Sequence, residues 1–431
     1  MKFTIKDTLC DLSWNYPIVN FGRGEIRTCC RTPAEKITDQ MIDRYQEDVI
    51  SNTPKQKERR VSLMRGLKHA DCSSCWKIEE SGGKSPRHDV EKFFPIAQTK
   101  GLLNLENPTI EELESIIQDH DKENKLSVSE EPYMLEISMG NTCDMKCMYC
   151  SHHYSTQWAV EKIKFGEISQ AQYDREFPKA PDRFIEMFWK WFESTGVKSL
   201  NRIGIIGGEP LIMPELYPLL DQFIEVYQNY SEKHKQVNLW IVTNLNTPPK
   251  YLKKLFEYIP KLSTVFNVEI LVSMEALGPK AEYIRNGLDW NRFESNIHNL
   301  LSNKFEIEFG FIMSLNALSI TDLPNFLKFA KGLNDKYDIP ISLKHNVITY
   351  PSWQSPAILT RDFSKYVVEA IYYILSVHKT IHQVNDVWGQ WDKYIEFLLG
   401  IKKMIEKEDN ALLRDRKTFV SWFDTYDKRR N

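Results

Sequence analysis

Cys143, Cys147 and Cys150 stand within eight residues of one another, in the stretch Met139 to Trp158 that begins Met-Gly-Asn-Thr-Cys-Asp-Met-Lys-Cys-Met-Tyr-Cys. Three thiolates so spaced can meet at one point. An iron-sulfur cube has four irons and usually takes four cysteines, so three close ligands leave one iron open to an outside ligand. The same three thiols, with His152 or His153 as a fourth ligand, also suit a closed zinc site.

The other cysteines bear on that choice. All 8 lie in the first 150 residues, at positions 10, 29, 30, 72, 75, 143, 147 and 150. Thiols gathered as CxxC and CxxxCxxC in one part of a chain point to metal sites rather than disulfides or ordinary buried cysteines. With 431 residues, 42% of them hydrophobic and 27% charged, the chain is expected to be a soluble globular protein with a barrel-sized core and one or two smaller units. A net charge of -3 does not predict steering toward nucleic acid or an anionic membrane. The N-terminus lacks an apolar signal-like run, and no stretch reaches the roughly 18 apolar residues of a membrane span, so the expected location is the cytoplasm.

Cys10 opens a segment in which Trp14, Tyr16, Ile18, Val19 and Phe21 lead to the turn Gly22-Arg23-Gly24 and then to Glu25-Ile26-Arg27-Thr28-Cys29. This pattern predicts a β-hairpin that brings Cys10 and Cys29 together. A helix-compatible run, 34–67, then delivers Cys72-Ser73-Ser74-Cys75. Cys10, Cys29, Cys72 and Cys75 can complete a cluster without an outside ligand, and a zinc ribbon would use similar halves. Cys30, beside Cys29, is a fifth candidate. A polar loop (76–87), a helix (108–120) and a charged connector (121–131) follow, with a module boundary near residue 130.

From Tyr133 onward, strand and helix patterns alternate. Strands are expected at 133–139, 202–206, 237–242, 267–273, 306–312 and 341–348, and helices at 183–193, 214–227, 291–301 and 323–331. Six repeats imply an α/β fold with a parallel sheet, a partial (β/α)6 barrel, with its site at the C-terminal strand ends. The cysteine loop follows the first strand and Gly207-Gly208-Glu209-Pro210 the second. Thr243-Asn244 closes the third, and Ser273-Met274-Glu275 the fourth, ahead of Tyr283-Ile284-Arg285-Asn286-Gly287. Helices are expected at 363–375, 388–405 and 411–426, covering the barrel or carrying substrate contacts. Trp353, Trp388 and Trp391 are assigned to the core, and His345, His378 and His382 receive no role. The expected domains are 1–90, a connector 91–130, a core 131–350 and a helical extension 351–431.

CxxxCxxC after an apolar strand, Tyr149 just before the third cysteine and GGEP after the second strand together resemble the radical S-adenosylmethionine (SAM) enzymes. The resemblance implies a 4Fe-4S cluster on Cys143, Cys147 and Cys150, with SAM chelating the open iron and Tyr149 against the adenine. It further implies that Gly207, Gly208, Glu209 and Pro210 hold the SAM amino group, Ser273 the ribose and Arg285 the SAM carboxylate. The usual acidic residue and glycine after the serine are replaced by Met274-Glu275-Ala276-Leu277-Gly278. The N-terminal segment resembles the twitch form of the SPASM domain: Cys10, Gly24 and Cys29 match its opening and Cys72 and Cys75 its CxxC. In most relatives that module follows the barrel; here it precedes it. The resemblance implies a second, auxiliary 4Fe-4S cluster and an electron donor such as flavodoxin or ferredoxin. The expected reaction is reductive cleavage of SAM to a 5'-deoxyadenosyl radical that takes hydrogen from a peptide or protein. A sugar or nucleoside is the alternative substrate, and a non-catalytic iron-sulfur or zinc protein the alternative class. No substrate-site acid or base is assigned.

Overall fold

Short runs of β-branched and aliphatic residues between polar breaks become most of the strands, and three two-residue segments without such runs add short ones. In chain order these are β1 (Ile18–Asn20), β2 (Glu25–Arg27), β3 (Glu35–Lys36), β4 (Met134–Ser138), β5 (Lys146–Cys147), β6 (Arg202–Ile206), β7 (Val237–Thr243), β8 (Phe266–Ser273), β9 (Arg285–Asn286), β10 (Ile307–Leu315) and β11 (Ile341–Val347). The computed structural model of the chain describes residues 8, 10, 12–80, 85, 87, 132–178, 180–230, 237–378, 391–407 and 412–430. The helix expected at 108–120, the connector, the boundary near 130, Trp388 and His382 lie outside the described residues. The fold is α/β with mixed, mostly parallel strand pairing, in two units.

The first unit comprises Met1–Gly140, Ser169–Gly207 and Glu215–Leu239. Its N-terminal hairpin pairs Ile18 with Arg27, Val19 with Ile26 and Asn20 with Glu25. Gly24 turns the hairpin at φ +61°, and a Cβ there would lie 3.0 Å from Pro181 Cδ, so both backbone and space require glycine. The hairpin does not stand apart. β1 pairs in parallel with β4, Val19 opposite Ile137, and β4 pairs in parallel with β6, Ile137 opposite Ile205. Val19, Ile26, Leu135, Ile137, Ile203 and Ile205 are fully buried, which fixes the register, since a one-residue slip would turn them outward. The helix Asp182–Trp191 covers this layer, with Phe188 edge-on to Phe21 at 4.8 Å.

The helix Pro54–Met64 starts in a capping box: Thr53 accepts from Gln56 N, and the Gln56 side chain accepts from Thr53 N. Such a cap is worth about 1 kcal/mol. On that helix Arg60 is buried and donates to Ser13 O and Asn52 Oδ1, both at 3.0 Å, and to Ser51 O. These bonds pin the turn Leu12–Asn15 that follows Cys10.

The second unit comprises Asn141–Ile168, Gly208–Pro214 and Trp240–Asn431. β8 pairs in parallel with β10 and β10 with β11, so that Val272, Phe311 and Leu343 align. Helix Leu323–Tyr337 buries Leu323, Phe326, Leu327, Ala330 and Leu333, the i, i+3, i+4, i+7 stripe of a surface helix. Phe326 meets Phe311 edge-on at 5.1 Å. The unit also contains helices Thr156–Lys164, Pro249–Leu262, Gly278–Ile284, Trp290–Ser302, Ser364–His378, Trp391–Glu406 and Leu412–Arg430. The two-residue strands β5 and β9 form a separate antiparallel ribbon, with Cys147 opposite Arg285. Among the described residues, no helix is long and apolar enough to cross a membrane.

Candidate functional site

The loop from Asn141 to Cys150 has little regular structure, so its backbone groups need partners from elsewhere. Glu209 N donates to Thr142 O at 2.8 Å, Thr156 N to Asn141 O at 2.9 Å and Ser155 Oγ to Met145 O at 2.6 Å. Trp158 Nε1 donates to Cys147 O and Gln354 Nε2 to Met148 O, both at 2.8 Å. With its carbonyls held, the loop presents three half-buried thiols. Burial, then the neighbouring Cys147, pushes the thiols of Cys143 and Cys150 up, Cys150 to about 12. Burial raises Cys147 to about 11, against the opposing pull of Arg285. Three thiols that resist ionising together gain strongly from a bound cation, which deprotonates them and relieves their repulsion. The donor set therefore fits an iron-sulfur cluster or another thiophilic metal.

Gly207 and Gly208 were expected to let the backbone approach a ligand. The structure uses them first to let the cysteine loop pass. A Cβ on Gly208 would lie too close to Thr142 O and 2.7 Å from Thr142 C, and Gly207, at φ +142°, faces Gly140 O at 3.0 Å. The Glu209 carboxylate is fully buried and already satisfied: Thr243 Oγ1 donates to it at 2.7 Å, Asn244 N at 2.6 Å and Leu211 N at 3.1 Å. Burial pushes this carboxyl up to about 7, against those donors. Its side chain thus ties the GGEP turn to the end of β7. Pro210, fully inside the turn, starts a single 3-10 turn after it. Asn244 continues the tie, donating Nδ2 to Asp144 Oδ1 at 2.8 Å.

Arg285 is 4% exposed and its guanidinium is engaged within the protein. Nη2 meets Glu275 Oε2 at 2.5 Å, Nη1 lies 3.8 Å from Cys147 Sγ, and Cζ sits 5.6 Å from the centre of the Tyr149 ring. Tyr149 donates its hydroxyl to Glu275 at 3.1 Å. Sequence reasoning treated Glu275 only as a departure from a motif, yet it joins the aromatic and the arginine. The available signal was an acidic residue just past β8, ten positions before the arginine. Ser273, half-buried, ends β8 opposite Ile312.

A cleft of about 780 Å³ opens on Tyr149 and Cys150. Its outer wall includes Tyr154, Trp353, Trp422, Tyr426 and Arg429. Trp353, assigned to the core from sequence, packs instead against Trp422 on this wall, with ring centres 4.7 Å apart and planes tilted by 40°. The C-terminal helix is held near the cysteine loop through Glu161, which takes Lys146 at 2.8 Å and Arg430 at 3.0 Å.

In the first unit, Cys10, Cys29, Cys72 and Cys75 are all buried and line one small recess with Arg31 and Arg87. Cys72 ends the 3-10 turn Ala70–Cys72 and Cys75 lies in the first turn of helix Ser73–Glu80, three residues on, which places them on one side. Arg31 N donates to Cys29 Sγ at 3.4 Å. Burial, then Cys29, raises Cys72 to about 12, and burial with the same neighbour raises Cys10 well above its ordinary value. Cys30 is exposed and does not line the recess.

A thiol-bearing loop at the end of one parallel-sheet strand, braced by a glycine turn at the end of the next, is suited to hold a thiophilic metal or cluster. Residues 137–330 match the model of the Radical SAM superfamily. It is 25% identical over 264 residues to the radical SAM cyclopropyl synthase TigE of Paramaledivibacter caminithermalis, a match covering 59% of this chain and 51% of that one. The chain thus spans about half the length of this curated relative. Among solved structures it is similar to native anSMEcpe with bound AdoMet and Kp18Cys peptide (14% identity, 59% and 63% of the two chains, TM-score 0.39). It is also similar to Streptococcus suis SuiB bound to precursor peptide SuiA (15% identity, 74% and 63%, TM-score 0.37).

Proposed function

We propose that the protein cleaves SAM reductively and uses the product to take hydrogen from a peptide or protein substrate. The observation that carries this reading is the loop in which Cys143, Cys147 and Cys150 project from a fully braced backbone beside a large cleft. Cys143, Cys147 and Cys150 would hold a 4Fe-4S cluster, which when bound would supply the one electron needed to split SAM into methionine and a 5'-deoxyadenosyl radical. The chain supplies the rest: three thiolates at fixed positions, the Glu209 tie that holds the GGEP turn, and burial that keeps water from the reacting atoms. Backbone carbonyls of Gly207 and Gly208 are the acceptors proposed for the SAM ammonium, since the Glu209 carboxylate is already satisfied. Tyr149 is proposed for the adenine and Ser273 for the ribose. The strands from β4 to β11, without β5 and β9, are proposed to form a partial (β/α)6 barrel, with 1–90 as the auxiliary module and 351–431 as the helical extension.

Cys10, Cys29, Cys72 and Cys75 are proposed to hold the auxiliary 4Fe-4S cluster, and a flavodoxin or ferredoxin to deliver electrons. A peptide is favoured as substrate by the twitch-like cysteine pattern and by the aromatic cleft, which has room for an extended side chain and its neighbours. Anaerobic reconstitution with iron and sulfide is expected to give about eight irons per chain, from two four-iron cubes. The reduced protein is expected to release 5'-deoxyadenosine from SAM, and to stop when Cys143, Cys147 and Cys150 are replaced by alanine. Loaded protein that binds SAM yet makes no 5'-deoxyadenosine under strong reductant would overturn the reading. About four irons with one zinc would move the N-terminal site to the zinc class.

A further inference from the structure

The three loop thiols do not share one environment. Cys143 Sγ has Asp144 Oδ1 at 4.0 Å, and Cys150 Sγ has the carbonyl oxygen of Ser151 at 3.7 Å. Once ionised, both sulfurs face oxygen. Cys147 Sγ faces a guanidinium instead, with Arg285 Nη1 at 3.8 Å. The contact is built from two directions: the β5–β9 register sets Arg285 opposite Cys147, and Glu275 grips the far side of the guanidinium at 2.5 Å. Glu275 is itself fully buried and accepts from Tyr149.

We propose that Glu275 and Arg285 are a positioning pair that aims a cationic N–H donor at the Cys147 thiolate and so sets the reduction potential of the cluster on Cys143, Cys147 and Cys150. The proposal rests on the cluster assignment made above. Hydrogen bonds and positive charge at a ligand sulfur withdraw electron density and ease reduction of the cluster. This role differs from a clamp on the SAM carboxylate, because a carboxylate could take Nη2 only by displacing Glu275 from a buried ion pair. Removing one partner of such a pair strands the other charge in the interior.

The test is a potentiometric titration of the reconstituted protein followed by electron paramagnetic resonance, reading the signal that is absent from the Cys147→Ala variant, together with SAM affinity. Arg285→Gln is expected to cut the reduced-to-oxidised ratio at a fixed potential about tenfold, a drop of about 59 mV for one electron. Arg285→Lys is expected to recover part of it. Glu275→Gln, which keeps an acceptor for Arg285 while removing the negative charge, is expected to raise the midpoint. SAM affinity is expected to change less than about threefold in each. An unchanged midpoint in Arg285→Gln, with SAM affinity down about tenfold, would overturn the proposal in favour of the carboxylate clamp. Unchanged midpoint and affinity would make the pair purely structural. If Arg285→Gln holds no cluster, Glu275→Gln decides: a raised midpoint supports the proposal and an unchanged one overturns it. Wild-type protein without this cluster would refute the cluster assignment itself, and the proposal with it.

Discussion

Gly208→Ala isolates the fit between the GGEP turn and the cysteine loop. The added Cβ would stand too close to Thr142 O and 2.7 Å from Thr142 C, nearer than real Cβ atoms come to backbone, so one backbone must withdraw. Neither can give cheaply. Thr142 O accepts from Glu209 N at 2.8 Å, and Asn141 O accepts from Thr156 N at 2.9 Å. Overpacking typically costs about 1–3 kcal/mol, and a lost backbone hydrogen bond adds about 1 kcal/mol. If most of that cost falls on the metal-ready loop, about 2 kcal/mol is roughly a thirtyfold loss in cluster affinity. The assay is iron at the three-cysteine site by spectroscopy, with 5'-deoxyadenosine release as the second readout, beside Gly332→Ala. Nothing lies within 4 Å of a Cβ at Gly332, in helix Leu323–Tyr337, so that change is expected to be neutral or stabilising by up to about 1 kcal/mol. A Gly208→Ala protein that loads iron and cleaves SAM like the wild type would refute the argument from close approach.

Cys29→Ala is expected to lose auxiliary-site iron and Cys30→Ala to keep it, because Cys29 lines the recess and Cys30 is exposed; the reverse iron counts would place the ligand at Cys30. Glu209→Gln puts an NH2 group where one of three donors now points, and is expected to cost about 1–3 kcal/mol in denaturant unfolding; unchanged stability with SAM affinity down tenfold would assign the side chain to SAM instead. Burial holds His345, packed against Phe397 at 3.5 Å, down at about 4, below its ordinary 6.5. Protons therefore bind the unfolded chain in preference between those values, and stability is complete above pH 6.5 and declines toward pH 4 by at most about 3 kcal/mol. Thermal melts of His345→Phe are expected to flatten that slope; an equal slope in both proteins would remove His345 as its source.

Local pattern carried the strands well because each buries an aliphatic run that no helical period explains. The strand at 202–206 appears with the bounds read from sequence, and 341–348 ends one residue earlier. The hairpin was legible from Gly22-Arg23-Gly24, where a positive φ falls at Gly24. What stayed hidden depends on residues far apart in sequence. The parallel pairing of β1 with β4 leaves no mark in either strand, since an edge and an interior strand of three residues read alike. Glu209 and Arg285 were visible as charged residues in motifs, but a motif does not reveal that each charge is met inside the protein, by Thr243 and Asn244 in one case and by Glu275 in the other. The C-terminal helix read as an aromatic covering element; its place on the cleft wall depends on Glu161, whose partners at Lys146 and Arg430 come from both ends of the second unit.

The pairing of β1 with β4 limits how this protein can be cut or recombined. Because β1 lies directly against β4, a fragment beginning near residue 131 would leave β4 as a bare parallel edge, with Leu135 and Ile137 stripped of the neighbours that bury them. Unpaired edges of that kind seek other chains. The cysteine-bearing N-terminus therefore cannot be exchanged like a bead on a string: a chimera must carry over the β1–β2 hairpin or supply another strand in its place. During synthesis the same hairpin leaves the ribosome long before its partner strand, and must wait with one edge open until residues 134–138 emerge.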